Sequence, residues 1–263
     1  MNFFDETGQL IPAPSWLKKY ESYYFLDGPV SSRINRGNQT SRFVEDRVCA
    51  LLEQSAVLSK QDLILLMAWK IGLIDHGSSE KQRKIIYKQN FDATLISKGR
   101  FGILDFSNSL PYLADRMPEI MRELAKSPNY LLDRVLKPHP ELHGFGVTYI
   151  LAVQFFVTHG RDPIYDQFAH IGAVAIHQDI KPGNSLSWVP VSNWSKYQQY
   201  VALLKPIAAE CAQSGADSPM TVPRPMDRAL WAYGHFFGTG PSQCRSGITI
   251  LKQQRRDAVR PST

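Results

Sequence analysis

Apolar positions along this chain recur with a period between three and four over most of its length, which is the spacing of helices with one buried face. Phe43, Val48, Leu51 and Leu52 share one face, and Ser59 with Asp62 opens a second helix expected to run to residue 74. That second segment, DLILLMAWKIGLI, is apolar nearly all round and belongs in a core. It meets strong breaker chemistry at Asp75-His76-Gly77-Ser78-Ser79. Further helices are expected over 80–89, within 91–98, over 118–126 with Pro118 as the first helical residue, and over 129–136. The same pattern continues over 147–159, 166–178, 194–211 and 226–237, and Pro206 should kink or split the third of these. A short helix over 15–24 sits inside an aromatic N-terminal arm. Only 247–251 alternates as a strand would. The expected class is mainly α, with an arm and helix over 1–58 and the main domain over 59–263.

Composition adds bounds. Hydrophobic residues at 43% and charged residues at 21% describe a globular chain. The start MNFFDETGQL lacks the basic residues and apolar run of a signal peptide. The most apolar segments, 64–69 and 149–157, fall short of a membrane span. A soluble, intracellular (cytoplasmic) protein without a membrane partner is expected. Thirty Lys and Arg against 24 Asp and Glu give a net charge of +6, which permits a polyanionic partner without demanding one. Arg33, Arg36 and Arg42 interleave with small polar residues in a loop that could touch phosphates or be merely solvated. Cys49, Cys211 and Cys244 are far apart and form no CxxC pair, so neither a local zinc knuckle nor a four-cysteine iron–sulfur cluster is available. Reduced thiols, no metal and no cofactor are expected.

The stretch 136–178 carries the candidate chemistry. Leu142-His143-Gly144-Phe145-Gly146 leads directly into an apolar helix, and Gly160-Arg161-Asp162-Pro163 breaks that helix before Asp166 opens the next. Glycines there permit positive φ and the close approach of another backbone. The first amides of the following helix point outward, and its dipole favours an anion. A phosphate suits such a turn, and so does a tight helix–helix joint with nothing bound. If 147–159 is helical it is roughly 20 Å long at ~1.5 Å per residue. Six extended residues, 160–165, cover about the same distance and could return Asp166 beside Thr148. Asp166 is equally a good N-cap for the helix it opens, and one carboxylate can cap with one oxygen and act with the other.

On these residues the chain resembles the helix-hairpin-helix DNA glycosylases, the superfamily of endonuclease III, adenine glycosylase and 8-oxoguanine glycosylase. Their pattern is a leucine, a Pro-Gly-Val-Gly-like turn, a helix, an extended return and a catalytic aspartate opening the next helix. Here Leu142, His143, Gly144, Phe145 and Gly146 stand in the hairpin, within about 130–160, and Asp166 follows the second glycine by twenty residues. The segment MDRALWAYGHFF resembles the family's late helix, and 64–79 could match its early helix and the loop that inserts into DNA. The resemblance implies two helical subdomains flanking a DNA-binding cleft, with double-stranded DNA as partner and a monomeric enzyme. His143 departs from the usual proline, the iron–sulfur cysteines are absent, and Thr148 stands where bifunctional members carry a lysine. The implied enzyme is therefore monofunctional: it hydrolyses an N-glycosidic bond and forms no Schiff base.

The implied reaction flips a damaged or modified nucleotide, possible targets including a modified base of phage DNA, and leaves an abasic site. Asp166 would stabilise the charge developing on the sugar and orient water. Tyr165, His170 and Asp162 are the candidate acids for the leaving base. Trp69, Lys70 and Tyr165 are candidates for the base pocket or wedge. Trp231 and Tyr233 could stack a base but suit core packing better. A non-catalytic helix-hairpin-helix DNA-binding protein is the alternative, and a helical scaffold without a nucleic-acid role is a third reading.

Overall fold

The computed structural model describes residues 1–24, 46–47, 50, 53–54, 57–70, 74–76, 85–87, 95–99, 102–105, 109–137, 140–142, 146–188, 190–212 and 224–237. Over these residues the protein is mainly helical. Nine α-helices are present among them: α1 (Ala13–Tyr24), α2 (Lys60–Lys70), α3 (Ser109–Asp115), α4 (Met117–Lys126), α5 (Tyr130–Leu136), α6 (Val147–Val157), α7 (Gln167–His177), α8 (Trp194–Cys211) and α9 (Arg224–Gly234). Most start where the sequence says they should. Asp62 accepts hydrogen bonds from the backbone and hydroxyl of Ser59, and Ser59 answers with a bond from the Asp62 amide, a reciprocal cap that opens α2. Pro118 occupies the first turn of α4. Pro206 does not split its helix: α8 runs through it to Cys211.

Residues 74–105 depart from expectation. Instead of helices over 80–89 and 91–98, β1 (Ile74–His76) pairs antiparallel with β2 (Ile85–Tyr87), and β3 (Leu95–Gly99) with β4 (Gly102–Asp105). The helix begun at Lys60 also ends at Lys70, before the expected 74. Ile85, Ile86 and Tyr87 are strand-formers, as is Ile96, and such short apolar runs do not separate the two periods. The expected helix at 43–52 and strand at 247–251 fall largely or wholly outside the described residues, as do Arg33, Arg36, Arg42, Cys49 and Cys244.

The chain divides into two compact units, and the division does not follow the expected boundary at 58. One unit is Met1–Arg36, Tyr165–Pro190 and Lys196–Thr263; the other is Gly37–Ile164 and Val191–Ser195. The aromatic arm is the reason. Trp16 and Tyr20 of α1 are fully buried. Their rings meet Tyr233 of α9 at 5.4 and 4.8 Å between centroids. Arg224 pairs with Asp227 and donates to the Tyr24 hydroxyl, while Arg228 reaches Glu21 at 3.3 Å. The first helix is thus locked to the last. Packing of α7 on α9 completes this unit, and it is close: a Cβ at Gly234 would lie 1.9 Å from the Phe168 carbonyl, and one at Gly172 2.6 Å from that of Leu230. Cys211 is buried here, its thiol pushed up to about 12 by desolvation and then by Glu210, so it stays protonated.

The second unit packs α2 on α3 and α6, and α5 on α4 and α6. Its core takes Leu63 and Leu66 from α2, Leu113 from α3, and Leu151 from α6, all fully buried. Among the described residues no helix is long and apolar enough to cross a membrane.

Candidate functional site

The expected hairpin lies in the second unit. Helices α5 and α6 pack together, and their connection contains one turn of 3₁₀ helix, Pro140–Leu142. Leu142 is 3% exposed, so its side chain anchors the turn in the core and does not reach a phosphate. His143, Gly144 and Phe145 lie outside the described residues. Gly146 is exposed and forms the N-cap of α6 with φ −82° and ψ 165°, an extended conformation open to any residue. A Cβ there would sit an ordinary 3.8 Å from the Tyr149 ring. The positive φ that glycine permits is not used at Gly146, and a side chain there would meet only the Tyr149 ring before the helix start. Thr148 is half-buried in the first turn of α6, whose leading amides have no intrahelical acceptor.

Between α6 and Asp166 the chain is not six extended residues. The helix ends at Val157, and Thr158 to Asp162 fold into a turn with His159 at φ 51° and Gly160 at φ 78°. The Gly160 amide donates back to the Phe155 carbonyl at 2.9 Å, and the Asp162 amide to the Thr158 hydroxyl. A left-handed helix end of this kind satisfies the last carbonyls and shortens the return, so only 163–166 run on outside the turn. Asp162 is 9% exposed and belongs to a polar knot in the second unit. It accepts from the Gln154 amide at 2.8 Å and from Arg161 at 3.1 Å, while Gln154 also holds the Pro128 carbonyl. A carboxylate so engaged holds the turn and is not the acid for a leaving base.

Asp166 opens α7 in the first unit. Its backbone is extended (φ −139°, ψ 144°), and Oδ1 accepts from the Phe168 amide at 2.9 Å. The capping expected of it is present, and the side chain remains half-exposed. Tyr165, just before the cap, and His170, four residues after it, occupy the positions of a staple, and their rings lie 6.0 Å apart. Tyr200 of α8 closes this corner, edge-on to Tyr165 at 5.1 Å and to His170 at 5.6 Å. Burial first, then the neighbouring Tyr197 and the Asp166 charge, push the Tyr200 phenol well up. Tyr165 is 1% exposed, and its hydroxyl accepts from the Trp188 indole at 2.7 Å. It is a core residue, so neither wedge nor proton donor falls to it. The His170 ring is half-covered, its Nδ1 closed off without a partner, and burial holds its pKa below the ordinary value.

The remaining candidates separate. Tyr233 is core, as packing arguments favour. Trp231 is half-buried on α9 beside Tyr24, Phe168 and His235. Trp69 lies in α2, and its side chain is outside the described residues. Lys70 ends the same helix half-buried. Sequence reasoning missed Tyr200, which adjoins His170 and Asp166, and Trp188, which holds the Tyr165 hydroxyl, both from distant segments. The staple spacing at 165 and 170 is readable in the sequence and pairs Tyr165 with His170, but nothing local points to Tyr200 or Trp188.

No family model, no curated protein and no solved structure matches this chain. Among the described residues, no three His, Cys, Asp or Glu side chains gather as a metal-ligand set.

Proposed function

We propose that the protein is a monofunctional DNA glycosylase that hydrolyses the N-glycosidic bond of a flipped damaged or modified base, with Asp166 as the catalytic carboxylate. The observation that carries this reading is the cap geometry: one oxygen of Asp166 is held by the Phe168 amide on an extended backbone, and the side chain is still half-exposed at the start of α7. A carboxylate so fixed suits stabilisation of positive charge on a deoxyribose, because its orientation is set before the substrate arrives. Gly146 and the first amides of α6 would take a backbone phosphate without regard to sequence. Thr148 in that turn supplies no amine, so no covalent adduct with the sugar forms. A modified base of phage DNA is one target consistent with the departures from repair enzymes.

The decisive experiment incubates the protein with a panel of DNAs, cleaves abasic sites with alkali and identifies released bases by mass spectrometry. Wild type should release one base, and Asp166→Asn should bind DNA equally while losing release by several orders of magnitude. Trapping with borohydride should give no adduct. Undiminished biological effect in Asp166→Asn would turn the reading to a non-catalytic DNA-binding protein. Absence of salt-sensitive DNA binding would leave only a scaffold.

A further inference from the structure

His170 is the one acid candidate that neither packing nor a polar knot has absorbed. It lies one turn into α7, where its amide donates to the Asp166 carbonyl at 3.0 Å. Its ring and the Asp166 charge have Tyr200 as a common neighbour, so both groups occupy the same corner of the first unit. The rings of Tyr165, Tyr200 and His170 pack as a triangle, with centroids 5.1, 5.6 and 6.0 Å apart, and the two tyrosines cover the inner edge of the imidazole. Nδ1 is shut away there with no partner, while the ring as a whole is only half-covered, which leaves Nε2 as the outward nitrogen. A buried N–H without an acceptor is rarer and costlier than a buried lone pair, so Nδ1 is bare and the proton sits on Nε2. Charging the ring would bury an N–H with nothing to accept it, and desolvation acts in the same direction.

An imidazole held this way is an outward donor that keeps its proton. The geometry points to His170 as a catalytic hydrogen-bond donor, through Nε2–H, to the departing base at the acceptor flanking its glycosidic nitrogen: N3 of a purine or O2 of a pyrimidine. This rests on the glycosylase reading. The C1′–N bond breaks with its electron pair on the base, water supplies OH to C1′ and the remaining hydrogen to the base, and His170 neither gains nor loses a proton. Its bond strengthens as charge gathers on the leaving group, which is when it lowers the barrier. The titratable groups facing the ring are Tyr165 from the preceding turn and Tyr200 from α8, with Asp166 at the start of its own helix.

Two substitutions separate donor from packing. His170→Phe keeps a ring against Tyr165 and Tyr200 but has no donor; His170→Gln loses the ring but carries an amide about as far out as Nε2. Single-turnover release is measured on duplexes containing uracil, hypoxanthine, 8-oxoguanine or 7-methylguanine and on DNA from a phage with modified bases, alongside thermal melting and DNA affinity. Expected is a fall of about 100-fold for His170→Phe, at least tenfold recovery in His170→Gln, and the opposite order in melting temperature. His170→Asn, whose amide reaches only the Nδ1 level, serves as a second donorless variant if the Phe variant does not fold. Release by His170→Phe equal to or above that of His170→Gln, or loss appearing as weakened DNA affinity, would overturn the assignment. Release by wild type that vanishes in Asp166→Asn upholds the parent reading whatever His170 does; no release from any DNA overturns both.

Discussion

Asp166 has two duties that can be measured apart. As a cap, its oxygen satisfies the Phe168 amide, and asparagine does this about as well as aspartate. Asp166→Asn should therefore leave the denaturation midpoint nearly unchanged, whereas Asp166→Ala should cost about 1 kcal/mol. If both variants also lose base release while only the alanine loses stability, the carboxylate charge is needed for chemistry and the hydrogen bond for the fold. His170 gives a second separation, by pH. Its pKa is held below the ordinary 6.5 by burial. The unfolded chain therefore binds the proton more readily, so the contribution of the neutral ring is whole above about 6.5 and is lost as pH falls from there through the lower folded value. Wild type should lose melting temperature more steeply than His170→Phe between pH 7 and 5. Parallel slopes would mean that the ring is solvated.

At the scale of elements, the contact that sets the candidate site is α7 against α9. The 1.9 Å approach at Gly234 leaves no room for a methyl group, and the atom in the way is backbone, which cannot rotate aside. Gly234→Ala must push the Phe168 end of α7 outward, and overpacking of this kind costs on the order of 1–3 kcal/mol. Gly172→Ala, with 2.6 Å to the Leu230 carbonyl, should cost less. Urea melts of the two variants give the order, and a larger loss for Gly172→Ala would contradict it. The starts of α2, α4 and α7 were legible from local chemistry: Ser59 with Asp62, and Asp166, accept from amides within a few residues, and Pro118 brings no amide to the first turn and presets its φ. What was not legible depends on partners far along the chain. Tyr200 reaches Tyr165 from thirty-five residues away. The turn at 158–162 rests on a left-handed His159, a conformation that histidine does not advertise. The hairpins at 74–105 were missed because three to five residues show too little of either period.

At the scale of the molecule, both described ends of the chain, α1 and α9, meet in one unit, and residues 37–164 with 191–195 form the other. That arrangement makes the N-terminal helix part of the frame that carries Asp166, because α1 packs on α9 and α9 packs on α7. Trp16, Tyr20, Tyr23 and Tyr24 are all buried. An aromatic side chain buries roughly 150–250 Å², worth about 4–6 kcal/mol at ~25 cal/mol per Å². Two such residues already match the stability of an ordinary domain, about 5–15 kcal/mol. Removal of residues 1–24 should therefore unfold the first unit, not merely trim an arm: Tyr233 and Phe236 lose the ring partners that α1 supplies, and Arg224 and Arg228 lose Tyr24 and Glu21. Amide hydrogen exchange would show it as lost protection in α7 and α9, with α4 to α6 retaining theirs. Retained protection in α7 would mean that α9 and α8 hold it without α1. The milder Trp16→Ala tests the same linkage with the chain intact and should cost about 3–5 kcal/mol. Because the lost packing is transmitted through α9 to the helix that Asp166 caps, the substitution should reduce any activity of Asp166 without touching that residue.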